Sequence, residues 1–460
     1  MTRSLVIEST GFGLRGALLD DDRLIEILDV DTHGDAVTDT LFAARVEKVD
    51  KPLAAAFVEI GLPERAFLAA KDARAVAGVE DRLPVDKLVR EGQKLIVQGV
   101  REPVDGKGSR VTSDVKLFGF GLILRPMSRG VEVPARLPER QREALAARGQ
   151  MLFGEAGVTL RRAAAGLDDA ALRREHASLG ARWAQIEREA RDRHRPGRLA
   201  ADEPPIERLL RRAMELGPQR ISVAERALAL AAERLVADRL AGSNIAVERL
   251  DDAGSAFEQT AVAAELEQAL GRDVPLEGGG RLRIEETAAC VAIDVDGGNR
   301  AALDADLAAA FEVARQVRLR NLGGTIVVDF IDLPTRPQRQ RLEEALKKAF
   351  RDDPQPVQIY PMSPLGLVQL SRPRRGGTLA ALMARPCAAC HGSGRRPSLR
   401  AVAEQLIAQL RTRPLPQRLA VARDLARYLE GEAATAWSSL GAPPAMVVDG
   451  DLPPGGWVVP

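Results

Sequence analysis

Residues 291–298, VAIDVDGG, and 325–333, TIVVDFIDL, are two short apolar strands carrying acidic residues, joined by an amphipathic stretch that ends FEVARQVRLRNLGG (311–324). Strand alternation puts Val291, Ile293 and Val295 on one face of the first and Ala292, Asp294 and Asp296 on the other, so two carboxylates share a side. In the second, Asp329 shares a face with Val327 and Ile331. An acid on an otherwise buried strand face is costly unless paired, hydrogen-bonded or bound to metal, which makes these aspartates site candidates. Between the strands, Leu303, Leu307, Ala310, Phe311, Ala314 and Val317 recur at helical spacing and predict a core-facing helix. Gly323 and Gly324 end it and start the second strand.

Working outward, 460 residues at 45% hydrophobic content predict two to four folded domains rather than disorder. The first twenty residues hold glycines and charges where a signal peptide needs an unbroken apolar core, and no span approaches a membrane helix, so a cytoplasmic location without a membrane segment is expected. Three cysteines, Cys290, Cys387 and Cys390, are too few for a disulfide framework, in keeping with a reducing compartment. A net charge of +1 gives no global attraction for a polyanion, so any nucleic-acid surface must be local. Three arginine clusters flanking the acidic strands are candidates: Arg315, Arg318 and Arg320; Arg336, Arg339 and Arg341; Arg372, Arg374 and Arg375. Residues 36–119 hold short apolar runs separated by Gly, Pro and Asp, the spacing of a small β-barrel. Segment 120–207 mixes strands at LILRP and GVTLRR with a polar helix from DDAALRREH onward. Residues 397–434 read as mostly helical and 441–460 as Pro/Gly-rich.

Several pieces stand in a fixed order: AAAFVEIGLPERAFL (54–68), GKGSRVTSD (106–114), the acidic segment, SPLGLVQLSRPRR (363–375) and CAACHGSG (387–394). Together they resemble the ribonuclease E/G family of bacterial endoribonucleases over nearly the whole chain, in its short form without a long basic tail. The resemblance implies an α/β multidomain fold. Residues 1–35 and 208–270 would form a ribonuclease H-like subdomain into which an S1 (OB-type) barrel, 36–119, and a 5′-sensor region, 120–207, are inserted. A DNase I-like catalytic domain (271–384), a zinc-link (385–396) and a small C-terminal domain (397–460) follow.

The resemblance also implies roles. Asp294 and Asp329 match the aspartates that hold catalytic Mg²⁺. Asp296 stands where the family usually has asparagine and is a possible third ligand; Gln369 stands where it commonly has glutamate, and the two changes would offset in charge if the positions lay close together. Phe57 and Phe67 match a base-stacking pair, with core packing as the alternative reading, and Lys107 matches its basic partner. Arg161 and Arg162 match the pair that reads an RNA 5′ monophosphate, with arginine in place of the usual threonine at Arg162. Cys387 and Cys390 would each supply half of a Zn²⁺ site shared between subunits of a homodimer or higher homo-oligomer; completion by His391 or Cys290, or a redox pair, are the alternatives. The expected activity is Mg²⁺-dependent cleavage of single-stranded RNA to 5′-phosphate and 3′-hydroxyl ends in RNA processing and decay, and the alternative is a catalytically weakened RNA-binding protein. Four histidines without an H-E-x-x-H pattern argue against a zinc hydrolase.

Overall fold

The alternation at 291–296 is realised as a one-sided sheet. A computed structural model describes residues 2–31, 37–77, 83–101, 103, 108–134, 137–199, 204–251, 254–374, 376–385, 387, 390, 392 and 394–459. By internal contacts the chain divides into two units, Met1–Leu382 and Met383–Pro460. In the first unit, six strands lie side by side in the order Asp273–Pro275, Arg281–Glu286, Val291–Asp296, Gly324–Asp329, Leu367–Arg372 and Gln358–Ile359. Helix Ala302–Leu319 carries the chain from the third of these to the fourth, which therefore run parallel. One face of the sheet, with Ile284, Ile293, Ile326, Val328 and Val368, packs with Val313 and Val317 of that helix and Leu342 and Leu346 of helix Arg336–Ala349. The other face, which carries Asp294, Asp296 and Asp329, is exposed. The desolvation argument made from the sequence therefore does not apply: the acids sit on the hydrated side of an amphipathic sheet.

The crossover helix departs from its expected pattern. Phe311 is 47% exposed, with the Lys348 ammonium 5.9 Å from its ring centre, while Asp306, Glu312, Gln316, Arg318 and Arg320 are buried. The reason is a second neighbour. Strands Arg3–Ser9, Gly13–Asp20 and Arg23–Asp31 form an antiparallel meander joined, parallel to its first strand, by Arg220–Val223 and then Ala246–Arg249. The crossover helix packs against Arg23–Asp31 as well as against its own sheet, so its second flank is buried too. Polar groups there are matched across the contact. Arg315 donates to both Glu312 oxygens, to the Leu24 carbonyl at 2.6 Å and to Glu265 at 2.7 Å; Arg23 reaches Glu312 at 3.1 Å, and Arg318 reaches Glu26 at 2.9 Å. Arg320 donates to Gln316 and to the Gly271 carbonyl, each at 2.7 Å. The expected nucleic-acid cluster Arg315, Arg318 and Arg320 is thus a buried tie between two sheets.

Five strands close into a barrel: Leu41–Asp50, Ala55–Glu59, Ala66–Ala69, Arg110–Thr112 and Lys94–Arg101, the last pairing back onto the first. Phe42, Val46, Val58, Leu68, Val97 and Val111 fill it. Short strand Gly197–Arg198, from beyond the barrel in sequence, adds to Leu41–Asp50. Between them lie strands Leu122–Arg129 and Ala156–Leu160 and the long helix Asp169–Asp192, whose first turn is capped by the Asp168 carboxylate accepting from the Ala171 amide at 2.6 Å.

In the second unit, 397–434 is mostly helical, as expected, and the stretch after it adds short strands. Helices Leu399–Arg411 and Arg423–Glu430 pack with Leu419, Val421 and Trp437, and the Pro/Gly-rich tail supplies two strands, Ala445–Val448 and Trp457–Val458, that flank Arg418–Val421. Proline and glycine there mark the turns between short strands rather than a structureless tail. No helix among the described residues is long and apolar enough to cross a membrane.

Arg372 also leaves the expected RNA-facing set. Its side chain and that of Asp353 are each 2% exposed, the Arg372 guanidinium donates two hydrogen bonds to the Asp353 carboxylate at 3.0 and 3.2 Å, and Arg372 also donates to the Leu322 carbonyl at 2.8 Å. This fixes the strand beside the acidic pair to the turn that precedes Gly324–Asp329. Arg374 donates to the Gly323 carbonyl at 3.1 Å, and Arg375 lies outside the described residues. Arg336, Arg339 and Arg341 are exposed. Arg372→Ala strands the Asp353 carboxylate and should cost about 3–5 kcal/mol in urea unfolding, whereas replacing both partners by apolar residues should recover most of it. Equal losses in the single and double variants would contradict this account.

Candidate functional site

On the open face of the acidic sheet, residues directly opposite one another form rungs. One rung runs Asp273, Arg283, Asp294, Asp329, Leu367. Asp294 and Asp329 are therefore immediate neighbours, about 4.8 Å apart between backbones, with both side chains exposed on the same face. Like charges directly opposite are mutually unfavourable, so the pair invites a cation. Arg283 supplies part of one. Its guanidinium donates to Asp273 at 2.9 Å, and its pKa lies above the ordinary value chiefly through that hydrogen bond, with a smaller contribution from the charge of Asp294. Asp329 has Leu367 on its other side. Two carboxylates present hard oxygen donors on a wet face, which suits a hard divalent ion that retains several waters. Among the described residues no three His, Cys, Asp or Glu groups converge on one metal position.

Asp296 sits one rung further along, opposite Arg281, with the side chains 3.5 Å apart; its other oxygen accepts from the Gly298 amide at 3.0 Å. The turn 278–280 packs on this strand end: Gly280 has φ of +88°, and a Cβ there would overlap the Asp296 carbonyl. Gln369 lies on the rung of Val327, on the opposite side of the Asp294–Asp329 rung. It is separated from Asp296 by about 10 Å across the sheet and about 13 Å along it. The two are not close enough to offset one another. The charge of Asp296 is balanced by Arg281, which the sequence reading did not consider.

On the barrel, Phe57 and Phe67 are directly opposite on adjacent strands, half-buried, with ring centres 6.0 Å apart and planes at 76°. Their neighbours Ala56, Val58, Ala66 and Leu68 point inward, so both rings lie on the barrel's outer surface and core packing does not describe them. Their rung continues to Lys48 on one side and to Arg110 and Arg101 on the other. Lys48 is held by Asp50 at 3.2 Å and Arg110 by Asp72 at 2.6 Å. The result is a row of two aromatic rings flanked by cations. The sequence reading named the rings and Lys107; Lys48 and Arg101 join the row only through two bulged registers, and Arg110 through its pairing with Phe67. Lys107 lies outside the described residues.

Arg161 is 5% exposed. Its guanidinium donates to the Gly119 carbonyl, to the Arg211 carbonyl at 2.9 Å and to Glu215 at 2.8 Å, and burial lowers its pKa against the opposing pull of Glu215. From the other side the Glu175 carboxylate accepts from the amides of Phe120, Gly121 and Leu122, and burial raises its pKa. Arg161 and Glu175 thus grip the glycine-bearing segment 118–122, where a Cβ on Gly119 would collide with Glu175. The expectation that Arg161 grips a phosphate meets a group already engaged within the fold; Arg162, next to it, is exposed.

In the second unit the Cys390 amide donates to the Cys387 carbonyl at 3.3 Å, Cys387 is exposed and Cys390 half-buried. His391 lies outside the described residues.

These geometries can be set beside known proteins. The sequence profile of the Ribonuclease E/G family matches residues 117–375, which hold the whole acidic rung. The chain belongs to the Ribonuclease E/G family. It is 30% identical over 432 residues to Ribonuclease G of Escherichia coli (strain K12), covering 89% of this chain and 88% of that protein. It is 32% identical over 397 residues to Ribonuclease E of a Nostoc species, covering 82% and 57%. To Ribonuclease E of Escherichia coli (strain K12) it is 31% identical over 417 residues, covering 86% and 39%.

One residue beneath the family's acidic strands was not singled out from sequence. Asp306, on the crossover helix, is fully buried; one oxygen accepts from the Ile331 amide at 3.1 Å, two residues beyond Asp329, and the other has no hydrogen-bond partner. Burial pushes its pKa up to about 7. Between about pH 4 and pH 7 the folded protein keeps a proton that the unfolded chain has released, so stability falls as pH rises through that window and levels off above it. Asp306→Asn should remove this dependence, gaining up to about 4 kcal/mol over wild type at pH 8 relative to pH 4. Parallel stability profiles of the two proteins by denaturant titration would contradict it.

Proposed function

We propose that this member of the Ribonuclease E/G family is a cytoplasmic, Mg²⁺-dependent endoribonuclease that cuts single-stranded RNA to 5′-phosphate and 3′-hydroxyl ends in RNA processing and decay. The observation that carries the reading is the in-register pairing of Asp294 with Asp329 on an open sheet face inside the matched region. When bound, Mg²⁺ supplies a water of lowered pKa and neutralises charge on the scissile phosphate. Asp294 and Asp329 would hold it. Arg283, beside Asp294, tempers the repulsion between the acids, and Arg281 keeps Asp296 from adding net negative charge where a polyanion must approach. Phe57 and Phe67 would stack unpaired bases on their exposed surfaces, with Lys48, Arg110 and Arg101 meeting the backbone; such stacking tolerates any base. Arg162 is the exposed cation available to an RNA 5′ end. The domain reading proposed with it is a ribonuclease H-like subdomain with an inserted S1-type barrel and sensor region, a DNase I-like catalytic domain, a zinc-link and a small C-terminal domain; the closed five-stranded barrel supports the S1-type part.

Asp294→Asn and Asp329→Asn should each abolish cleavage of a labelled single-stranded oligonucleotide while leaving its affinity nearly unchanged. Phe57→Ala should instead weaken binding by about 1–3 kcal/mol. Cleavage near the wild-type rate in either aspartate variant would remove the assignment.

Cys387 and Cys390 give two thiolates per chain, so the proposed zinc is shared across a homodimer or a higher homo-oligomer. Metal analysis should find about one zinc per two chains, and Cys387→Ser should lower zinc content and shift sedimentation toward monomer together. One zinc per chain on a stable monomer would overturn the shared site.

A further inference from the structure

Where the long helix Asp169–Asp192 ends against the barrel, a cleft of about 320 Å³ opens. Its apolar lining comes from Ala43, Leu95, Ile96, Ala190 and Pro196. Its rim is basic: Arg45 and Lys94, opposite one another on the barrel strands, face Arg191, Arg193, His194 and Arg195 from the helix end and the turn after it. Glu187 is the one acid in the lining, and Arg45 shares its rung with Glu59. A helix C-terminus favours nearby cations, which accounts for Arg191, Arg193 and Arg195 around the helix end but not for Arg45 and Lys94, which come from the barrel strands. The walls are tied together: Lys94 donates to the Arg193 carbonyl at 3.2 Å, Arg45 approaches the His194 carbonyl at 3.5 Å, and Arg193 pairs with Glu189 at 3.1 Å. Arg191 and Arg195 are exposed and have no acid partner among the described residues.

The cleft continues the aromatic row. Arg45 and Lys48 stand on the same strand either side of one bulge, about 7–10 Å apart, and both lie on the barrel's outer surface. An apolar floor under unpaired guanidiniums has the chemistry of one nucleotide: a ring to cover and a phosphate to neutralise. We propose that this cleft is a further RNA subsite, taking a nucleotide of single-stranded substrate beyond the pair stacked on Phe57 and Phe67. It rests on the reading of the barrel as the single-strand surface.

The test uses the full chain carrying Asp294→Asn, so that RNA is not consumed, with and without Arg191→Gln and Arg195→Gln. Binding is measured to oligonucleotides of about four and about twelve nucleotides across a salt series. The long oligonucleotide should lose about tenfold in affinity, and its log–log salt slope should become shallower by about 1.4, while the short one binds as before. Unchanged affinity and slope on the long oligonucleotide would overturn the proposal. Loss of AMP binding in the arginine variant with RNA binding intact would also overturn it, in favour of a free-nucleotide site. Phe57→Ala separates the two readings: if it leaves both lengths unaffected while the arginine variant weakens the long one, the stacking reading fails and the cleft stands.

Discussion

The placement of Asp294 beside Asp329 depends on one register: strands Val291–Asp296 and Gly324–Asp329 must run parallel with Ile293 opposite Val328. A slip of one residue would turn every side chain of one strand to the other face, sending an aspartate into the apolar layer. What prevents it is the burial of Ile293, Ile326 and Val328 on one side together with the hydration of the acids on the other. The proposed metal site and the stability of the sheet therefore ask for the same alignment. Arg372, held by Asp353, adds a polar lock, since its hydrogen bond to the Leu322 carbonyl ties the neighbouring strand to the turn from which the second acidic strand begins.

A parallel pair cannot be joined by a tight turn, so the chain must cross the sheet, and here it does so as an eighteen-residue helix held between two sheets. That position explains an interior rich in charge. Removing one member of the Arg315, Glu312 and Glu265 set would leave another charge buried without its partner, so the contact is specific in register as well as in composition. Through it the acidic sheet is anchored to the strands at the start of the chain.

The sequence made the acidic strands, the small barrel and the long polar helix legible because each rests on a local pattern: alternation, regularly spaced short apolar runs, or a long polar stretch without proline. It did not reveal which arginines are buried. Arg315, Arg318 and Arg372 read as surface cations because a single chain segment carries no record of the partner that covers it. Phe311 failed in the opposite direction, fitting a helical stripe while standing outside it. In the site, Asp294 and Asp329 were found from family pattern and strand alternation, yet Arg281 and Arg283 were missed. Their relevance appears only when a third strand is laid alongside. Arg161 was chosen for its chemistry, and burial gave that chemistry to the segment 118–122 instead.

A chain with a net charge of +1 can still present a polyanion-binding surface if its charges are sorted rather than numerous. Here the sorting is by depth. Interior arginines such as Arg315 and Arg372 are neutralised by carboxylates and project little field, so they count among the positive residues without contributing to attraction. Arg101, Arg191 and Arg195 stand exposed around the barrel, where solvent screening limits their reach to about a Debye length. Attraction of that range cannot draw a strand from afar, but it can hold one already in contact with the aromatic row. Arg281 and Arg283 then do for the acidic face what the exposed arginines do for the barrel. On the proposed reading they reduce local repulsion where an anionic backbone would pass two carboxylates, so net charge and binding capacity need not follow one another.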